Sequence, residues 1–139
     1  MTVLLDTNII MDALQERHPF DAEAKEIFLR SQNGEIKVYF TANAATDIFY
    51  LYSKARDLQS ARSALEYLLN NYNVVSVTHE DCIAALSLQI NDFEDALVVA
   101  CAKKSEIDYI ITRDEKFLRD KSPVKIISPN EFLNKLNKT

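Results

Sequence analysis

Four aspartates stand where a parallel α/β sheet would collect its strand ends. They are Asp6 in Val3-Leu4-Leu5-Asp6-Thr7-Asn8, Asp47 in Thr41-Ala42-Asn43-Ala44-Ala45-Thr46-Asp47, Asp95 in Asp92-Phe93-Glu94-Asp95, and Asp114 in Ile110-Ile111-Thr112-Arg113-Asp114. Carboxylates gathered in that way are hard oxygen donors for a divalent cation, which can activate water or neutralise charge on a phosphoryl group. With no histidine in the four segments, the donor set favours Mg²⁺ or Mn²⁺ over Zn²⁺.

The elements that must position these residues follow from hydrophobic pattern. Apolar, β-branched runs at Val3 to Leu5, Val38 to Phe40, Val74 to Val77, Tyr109 to Ile111 and Val124 to Ile127 read as buried strands. Between them, apolar residues recur at helical spacing, as in Ala24, Ile27, Phe28 and in Ile48, Phe49, Leu51, Tyr52. Alternating strands and helices predict an α/β fold, a three-layer α/β/α sandwich around a mostly parallel sheet. In such a sheet the carboxyl ends of the strands and the N-termini of the covering helices share one edge. Asp6 and Asp114 follow strands and Asp47 and Asp95 fall near helix starts, so all four can meet in one cleft.

The helices are expected over Thr7 to Gln15, from Pro19 (in the first turn) to Gln32, Asn43 to Lys54, Leu58 to Asn70, His79 to Leu88, Asp92 to Lys104 and Glu115 to Arg119. A last helix follows a capping box at Ser128-Pro129-Asn130-Glu131. Thr78, with Asp81 three residues on, reads as another N-cap, and Asn33-Gly34 as a helix end.

Composition narrows the chemistry. A chain of 139 residues fits one domain, 1–139, able to bury a core of its own. It lacks an apolar run approaching the roughly 18 residues that would span a bilayer, so a cytoplasmic protein without membrane contact is expected. The single glycine, Gly34, leaves no dinucleotide fingerprint or P-loop, because such loops need glycines to bring backbone N–H groups to phosphate. A net charge of −5, from 16 basic and 21 acidic residues, argues against a general nucleic-acid coat but not against a nucleic-acid enzyme. Cys82 and Cys101 lack the close pairing of metal or redox motifs and read as reduced core residues. His18 and His79 read as surface or capping residues.

Each aspartate also has a structural reading. Asp92 is foremost an N-cap, Asp114 can cap the short helix after it, and Asp6 can close an Asx-turn. Glu94 reads as solvated or as support behind the site. Asp47 and Asp95 have less structural reason to be where they are, among apolar neighbours. Two carboxylates 4 Å apart repel by roughly 4 kcal/mol at an effective dielectric near 20, so a cluster of them calls for a cation or for protonation. Asn8 and Thr112 are suited to orient the carboxylates through an amide and a hydroxyl. Arg113, Lys116 and Arg119 are candidates for phosphate contact, with Lys54, Arg56 and Arg62 on another wall. Lys103 and Lys104 read as a solvated face.

The blocks Leu4-Leu5-Asp6-Thr7-Asn8-Ile9-Ile10-Met11-Asp12, Asp92-Phe93-Glu94-Asp95-Ala96 and Tyr109-Ile110-Ile111-Thr112-Arg113-Asp114 resemble, in order and spacing, those of the PIN-domain family of metal-dependent ribonucleases. The resemblance spans nearly the whole chain. It implies Mg²⁺ or Mn²⁺ held by acidic residues and hydrolysis of RNA. The family's first, third and fourth acidic positions fall on Asp6, Asp95 and Asp114, the implied metal ligands. Its second, usually glutamate, falls on Asp47, one methylene shorter. Catalysis would then rest on Asp6, Asp47, Asp95 and Asp114, with Asn8, Asp92 and Thr112 in support and Arg113 and Lys116 on RNA. Small members of the family are commonly toxins of VapC-type toxin–antitoxin pairs, often homodimers, so a cognate antitoxin is an implied partner. Two rivals remain open: a haloacid dehalogenase-type phosphatase, for which Asn8 replaces the second aspartate, and a non-catalytic, metal-binding receiver-like or adaptor domain.

Overall fold

The computed structural model describes residues 1–138. Its elements run Thr2–Leu5 (β1), Thr7–Leu14 (α1), Asp21–Gln32 (α2), Lys37–Thr41 (β2), Ala42–Ala55 (α3), Leu58–Asn71 (α4), Asn73–Val75 (β3), His79–Leu86 (α5), Phe93–Lys104 (α6), Tyr109–Ile111 (β4), Glu115–Arg119 (α7), Lys125–Ile127 (β5) and Pro129–Asn137 (α8). The strands form one sheet in the order β3-β2-β1-β4-β5, and every pairing is parallel. Leu4 of β1 lies opposite Tyr39 on one side and Ile110 on the other.

Period-two alternation divides the core between the two faces of the sheet. Val3 and Leu5 point to one face, where they meet Ile9, Ile27, Ile48, Leu68 and Phe132 from α1, α2, α3, α4 and α8. Leu4 points to the other, against Ala96, Val99, Cys101 and Phe117 from α6 and α7. Helix α6 is buried from Ala96 through Ala102 without a polar stripe, because α5 covers the side that faces away from the sheet.

Side-chain caps start most helices. Asp6, Thr41, Asp57, Thr78, Asp92, Asp114 and Ser128 each accept a hydrogen bond from a backbone N–H in the first turn of the following helix. The reciprocal capping box belongs to Thr78 and Asp81, whereas Ser128 makes only the forward bond, to the Glu131 N–H at 3.1 Å. Pro19 precedes α2 instead of opening it: Phe20 and Asp21 both donate backbone bonds to the Arg17 carbonyl, and this turn delays the helix to Asp21. β3 ends at Val75, short of Val77, since the Ser76 carbonyl accepts a bond from Lys104 Nζ.

Three helices end on a residue with positive φ. Gly34 has φ +81°, and the Glu35 N–H reaches back to the Arg30 carbonyl. The same closure is made without glycine at Glu16 (φ 51°), where the Arg17 N–H bonds the Asp12 carbonyl, and at Glu106 (φ 56°), where the Ile107 N–H bonds that of Ala102. This is the Schellman arrangement, in which a non-glycine residue bears a steric cost.

Candidate active site

The order β3-β2-β1-β4-β5 puts β1 at the centre, with chain continuing to β2 on one side and to β4 on the other. Beyond the carboxyl ends of β1 and β4 lies an open cleft of about 430 Å³ whose walls include Asp6, Asp47, Asp92, Glu94, Asp95 and Asp114. All four aspartates picked out by sequence therefore reach one cleft.

Asp6 sits where β1 passes into α1. Its Oδ1 caps the Thr7 N–H at 2.9 Å, and its Oδ2 accepts the Thr112 hydroxyl at 2.8 Å. The Thr112 Oγ1 in turn accepts the Asp114 N–H at 3.1 Å. One fully buried threonine thus ties the ends of β1 and β4 together. Asp114 Oδ1 caps the Lys116 N–H at 2.9 Å, and Asp92 Oδ1 caps the Asp95 N–H at 3.0 Å. Asp47 lies one turn into α3, with Tyr50 and Leu51, three and four residues on, lining the same cleft.

The electrostatics record the crowding. Burial, then Asp92, Asp6 and Asp114, push the Asp95 carboxyl up to about 7. Burial chiefly raises Asp6 as well, against the lowering effect of its bonds to Thr112 and Thr7, with Asp114 and Asp92 adding to the rise. Glu94 is raised by burial and then by the adjacent Asp47. Glu94 thus lines the acidic wall while remaining exposed to solvent, as its sequence position suggested. Of the first-turn carboxylates of α6, Asp95 is the one partly buried.

These donors suit a hard divalent cation. Asn8 adds a further oxygen: its Oδ1 is buried at the cleft without a hydrogen-bond partner among the described residues. The expected ligand trio is nevertheless not a closed set. Among the described residues no three acidic, histidine or cysteine side chains come together tightly enough to hold one ion. Asp6, Asp95 and Asp114 share the cleft without converging on a point.

Two basic residues are held by partners within the fold. Arg113, assigned to RNA, spends its guanidinium on Asp12: Nε donates to Oδ2 at 2.7 Å and Nη2 to Oδ1 at 3.0 Å, with the plane stacked on Phe20 at 3.9 Å. Lys104, read as solvated, bonds Asp81 and the Ser76 carbonyl. Burial alone would raise the Asp81 carboxyl, but Lys104 and Thr78 hold it below the ordinary carboxylate range. Lys116 is exposed on α7, outside the cleft walls. Of the cysteines, Cys101 is buried, with burial lifting its thiol to about 11, while Cys82 is only partly covered. His18 is exposed beside Asp21 and His79 exposed at the start of α5.

An all-parallel α/β sandwich with carboxylates over the ends of its two central strands is a doubly wound domain with an acidic switch-point cleft. More specifically, the chain belongs to the PIN-domain family, whose pattern matches residues 2–116. Among solved structures it is similar to VapBC2 from Rickettsia felis bound to a DNA fragment from its promoter, with a TM-score of 0.70 at 19% identity over 92% of this chain and 98% of that one. DNA-bound VapBC from Salmonella typhimurium gives 0.71 at 13% identity, covering 93% and 98%. VapC20 of Mycobacterium tuberculosis, a toxin that cleaves the sarcin–ricin loop, gives 0.68 at 16% identity, covering 83% and 92%. At these identities the likeness is one of fold. No curated protein matches by sequence. No helix among the described residues is long and apolar enough to cross a membrane.

Proposed function

We propose that this chain is a Mg²⁺- or Mn²⁺-dependent ribonuclease that hydrolyses RNA phosphodiester bonds and serves as the toxin of a toxin–antitoxin pair. The observation that carries the reading is the acidic cleft itself: Asp6, Glu94 and Asp95 are all held above the ordinary carboxylate range in a domain of the PIN family. Carboxylates desolvated by burial and then crowded by one another in an open cleft gain from a bound cation. Asp6, Asp95 and Asp114 would hold the ion, with Asn8 Oδ1 beside them.

When bound, the ion would lower the pKa of a water and stabilise the charge that develops on phosphorus. The protein's own share is orientation. Thr112 holds the Asp6 carboxylate in one rotation, and Asp92 fixes the first turn of α6 from which Asp95 projects. Asp47 completes the shell or aligns the attacking water, and Glu94 beside it is poised to carry a proton. An antitoxin partner is proposed from the fold neighbours, which include VapBC complexes; homodimerisation is proposed on the family resemblance alone.

The test is RNA cleavage by purified protein with Mn²⁺, with EDTA, and with Asp6→Asn. Cleavage should require the ion and be lost in the variant; undiminished cleavage in EDTA sinks the proposal. Induction in cells should arrest growth, with relief by Asp6→Asn. Normal growth with soluble, RNA-cleaving protein would remove the toxin role and leave the nuclease.

A further inference from the structure

An acidic cleft poses a problem for an anionic substrate. Even with an ion bound, the walls carry several carboxylates, so an RNA strand needs a cation at the rim to hold its backbone. The basic residues expected to supply one are otherwise placed: Arg113 is locked on Asp12, and Lys116 lies outside the cleft.

Arg17 is the only basic residue among those that line the cleft. The Schellman turn at the end of α1, with Glu16 in the left-handed region, brings it back over the acidic wall. Its Nε donates to Gln15 Oε1 at 2.8 Å, while its Nη1 stands 3.8 Å from Asp12 Oδ1, a loose ion pair beyond hydrogen-bond reach. Asp12 is already engaged by Arg113 on both oxygens. Arg17 is therefore aimed by one bond at its Nε, and the outer edge of its guanidinium is left for another acceptor. It forms no ion pair with a cleft carboxylate among the described residues, so it is not there to neutralise the wall.

Tyr50 also lines the cleft. It is 58% exposed, and α3 presents it on the same face as Asp47. An exposed tyrosine ring beside an acidic centre has no packing role there, and it offers a face on which an unpaired base can stack. Lys54 Nζ lies 5.5 Å from the centre of the ring and adds positive charge beside it.

We propose that Arg17 and Tyr50 form the substrate-holding rim of the cleft, Arg17 binding a backbone phosphate of a single-stranded RNA and Tyr50 stacking a neighbouring base. The assignment rests on the ribonuclease reading above. Neither residue supplies a proton or a metal ligand, so both act on substrate capture and positioning.

The test is steady-state cleavage of a randomised single-stranded RNA carrying a fluorophore and quencher, in Mn²⁺, over a series of KCl concentrations. Arg17→Ala should raise KM about tenfold with kcat nearly unchanged, and should flatten the slope of log KM against log salt by about 0.7, the loss of one phosphate contact on a single strand. Arg17→Lys should restore the slope. Tyr50→Ala should raise KM by roughly 5- to 150-fold, the loss of one stacked base, with the salt slope of the parent. Tyr50→Phe should behave as the parent. A parental KM and salt slope in Arg17→Ala, or an equal change of salt slope in both alanine variants, would overturn the assignment while the nuclease stands. A parent that cuts no RNA in Mn²⁺ removes the nuclease reading and this assignment with it.

Discussion

Arg113 grips Asp12 with two parallel N–H donors, Nε to Oδ2 at 2.7 Å and Nη2 to Oδ1 at 3.0 Å, across 101 residues of chain. The pair pins α1 to the loop after β4, the two segments that carry Asp6 and Asp114. It is lopsided: the Asp12 side chain is 1% exposed and that of Arg113 is 32% exposed.

That asymmetry predicts which partner is costlier to remove. Arg113→Met strands a buried carboxylate and should destabilise by about 3 kcal/mol. Asp12→Asn leaves an arginine that can turn to water and still rest on Phe20, at a cost of about 1–2 kcal/mol. Urea unfolding of the two variants checks the order. A smaller loss in Arg113→Met would mean that Arg17, 3.8 Å away, takes over the carboxylate.

Asp95→Asn should raise the melting temperature in the absence of metal at pH 8. The folded carboxyl titrates near 7 against about 4 when unfolded. Below pH 4 it is protonated in both states and costs nothing; from 4 to 7 the unfolded chain ionises first, so stability falls; above 7 the penalty is complete. That difference would be worth about 4 kcal/mol for a fully desolvated group, but Asp95 is only partly buried and screened by water, so the variant should gain about 3–6 °C at pH 8, the size of shift that roughly 1 kcal/mol produces. At pH 4 the gain should be absent. Differential scanning fluorimetry across pH decides it, and a variant that melts lower at pH 8 would make Asp95 a structural residue.

Mn²⁺ should stabilise the parent by an amount that grows with the logarithm of its concentration above Kd. Asp6→Asn should lose both that stabilisation and turnover. If Asp47 acts through water, Asp47→Asn should lose turnover and keep most of the Mn²⁺ affinity measured by calorimetry. Equal loss of binding in the two variants would make Asp47 a direct ligand.

Glu106→Gly should stabilise the protein by roughly 0.5–1 kcal/mol, because Glu106 holds a left-handed conformation (φ 56°) that glycine adopts without strain. Its side chain is exposed and, among the described residues, makes no hydrogen bond to lose. No change on chemical denaturation would show that the turn has relaxed around the glutamate.

The strands and most helix caps were legible because their signals are local. Val3 to Leu5 and Tyr109 to Ile111 are β-branched or apolar runs, and Asp92, Thr78 and Ser128 sit at the spacing that N-capping demands. The gathering of Asp6, Asp47, Asp95 and Asp114 followed from the rule that parallel strands share an edge. What escaped was tertiary. Arg113 and Lys104 find partners 101 and 23 residues away, and nothing near them in sequence announces it. Asp12 did leave a signal, a carboxylate among Ile9, Ile10 and Met11 much like Asp47 among Ala44, Ala45 and Ile48, and it proved to be the buried anchor of α1. Ser128 lacked its reciprocal bond, since spacing alone does not set the Glu131 rotamer.

The sheet order has a consequence for how the protein is made. Asp6 emerges from the ribosome early, but the hydroxyl that fixes it belongs to Thr112, 106 residues later, and Asp114 follows only then. A nascent chain halted before β4 carries Asp6, Asp47 and Asp95 and lacks the strand that orders the first of them. On the proposed activity, a product terminated before Thr112 lacks both the hydroxyl that fixes Asp6 and the carboxylate of Asp114, and should not cut RNA.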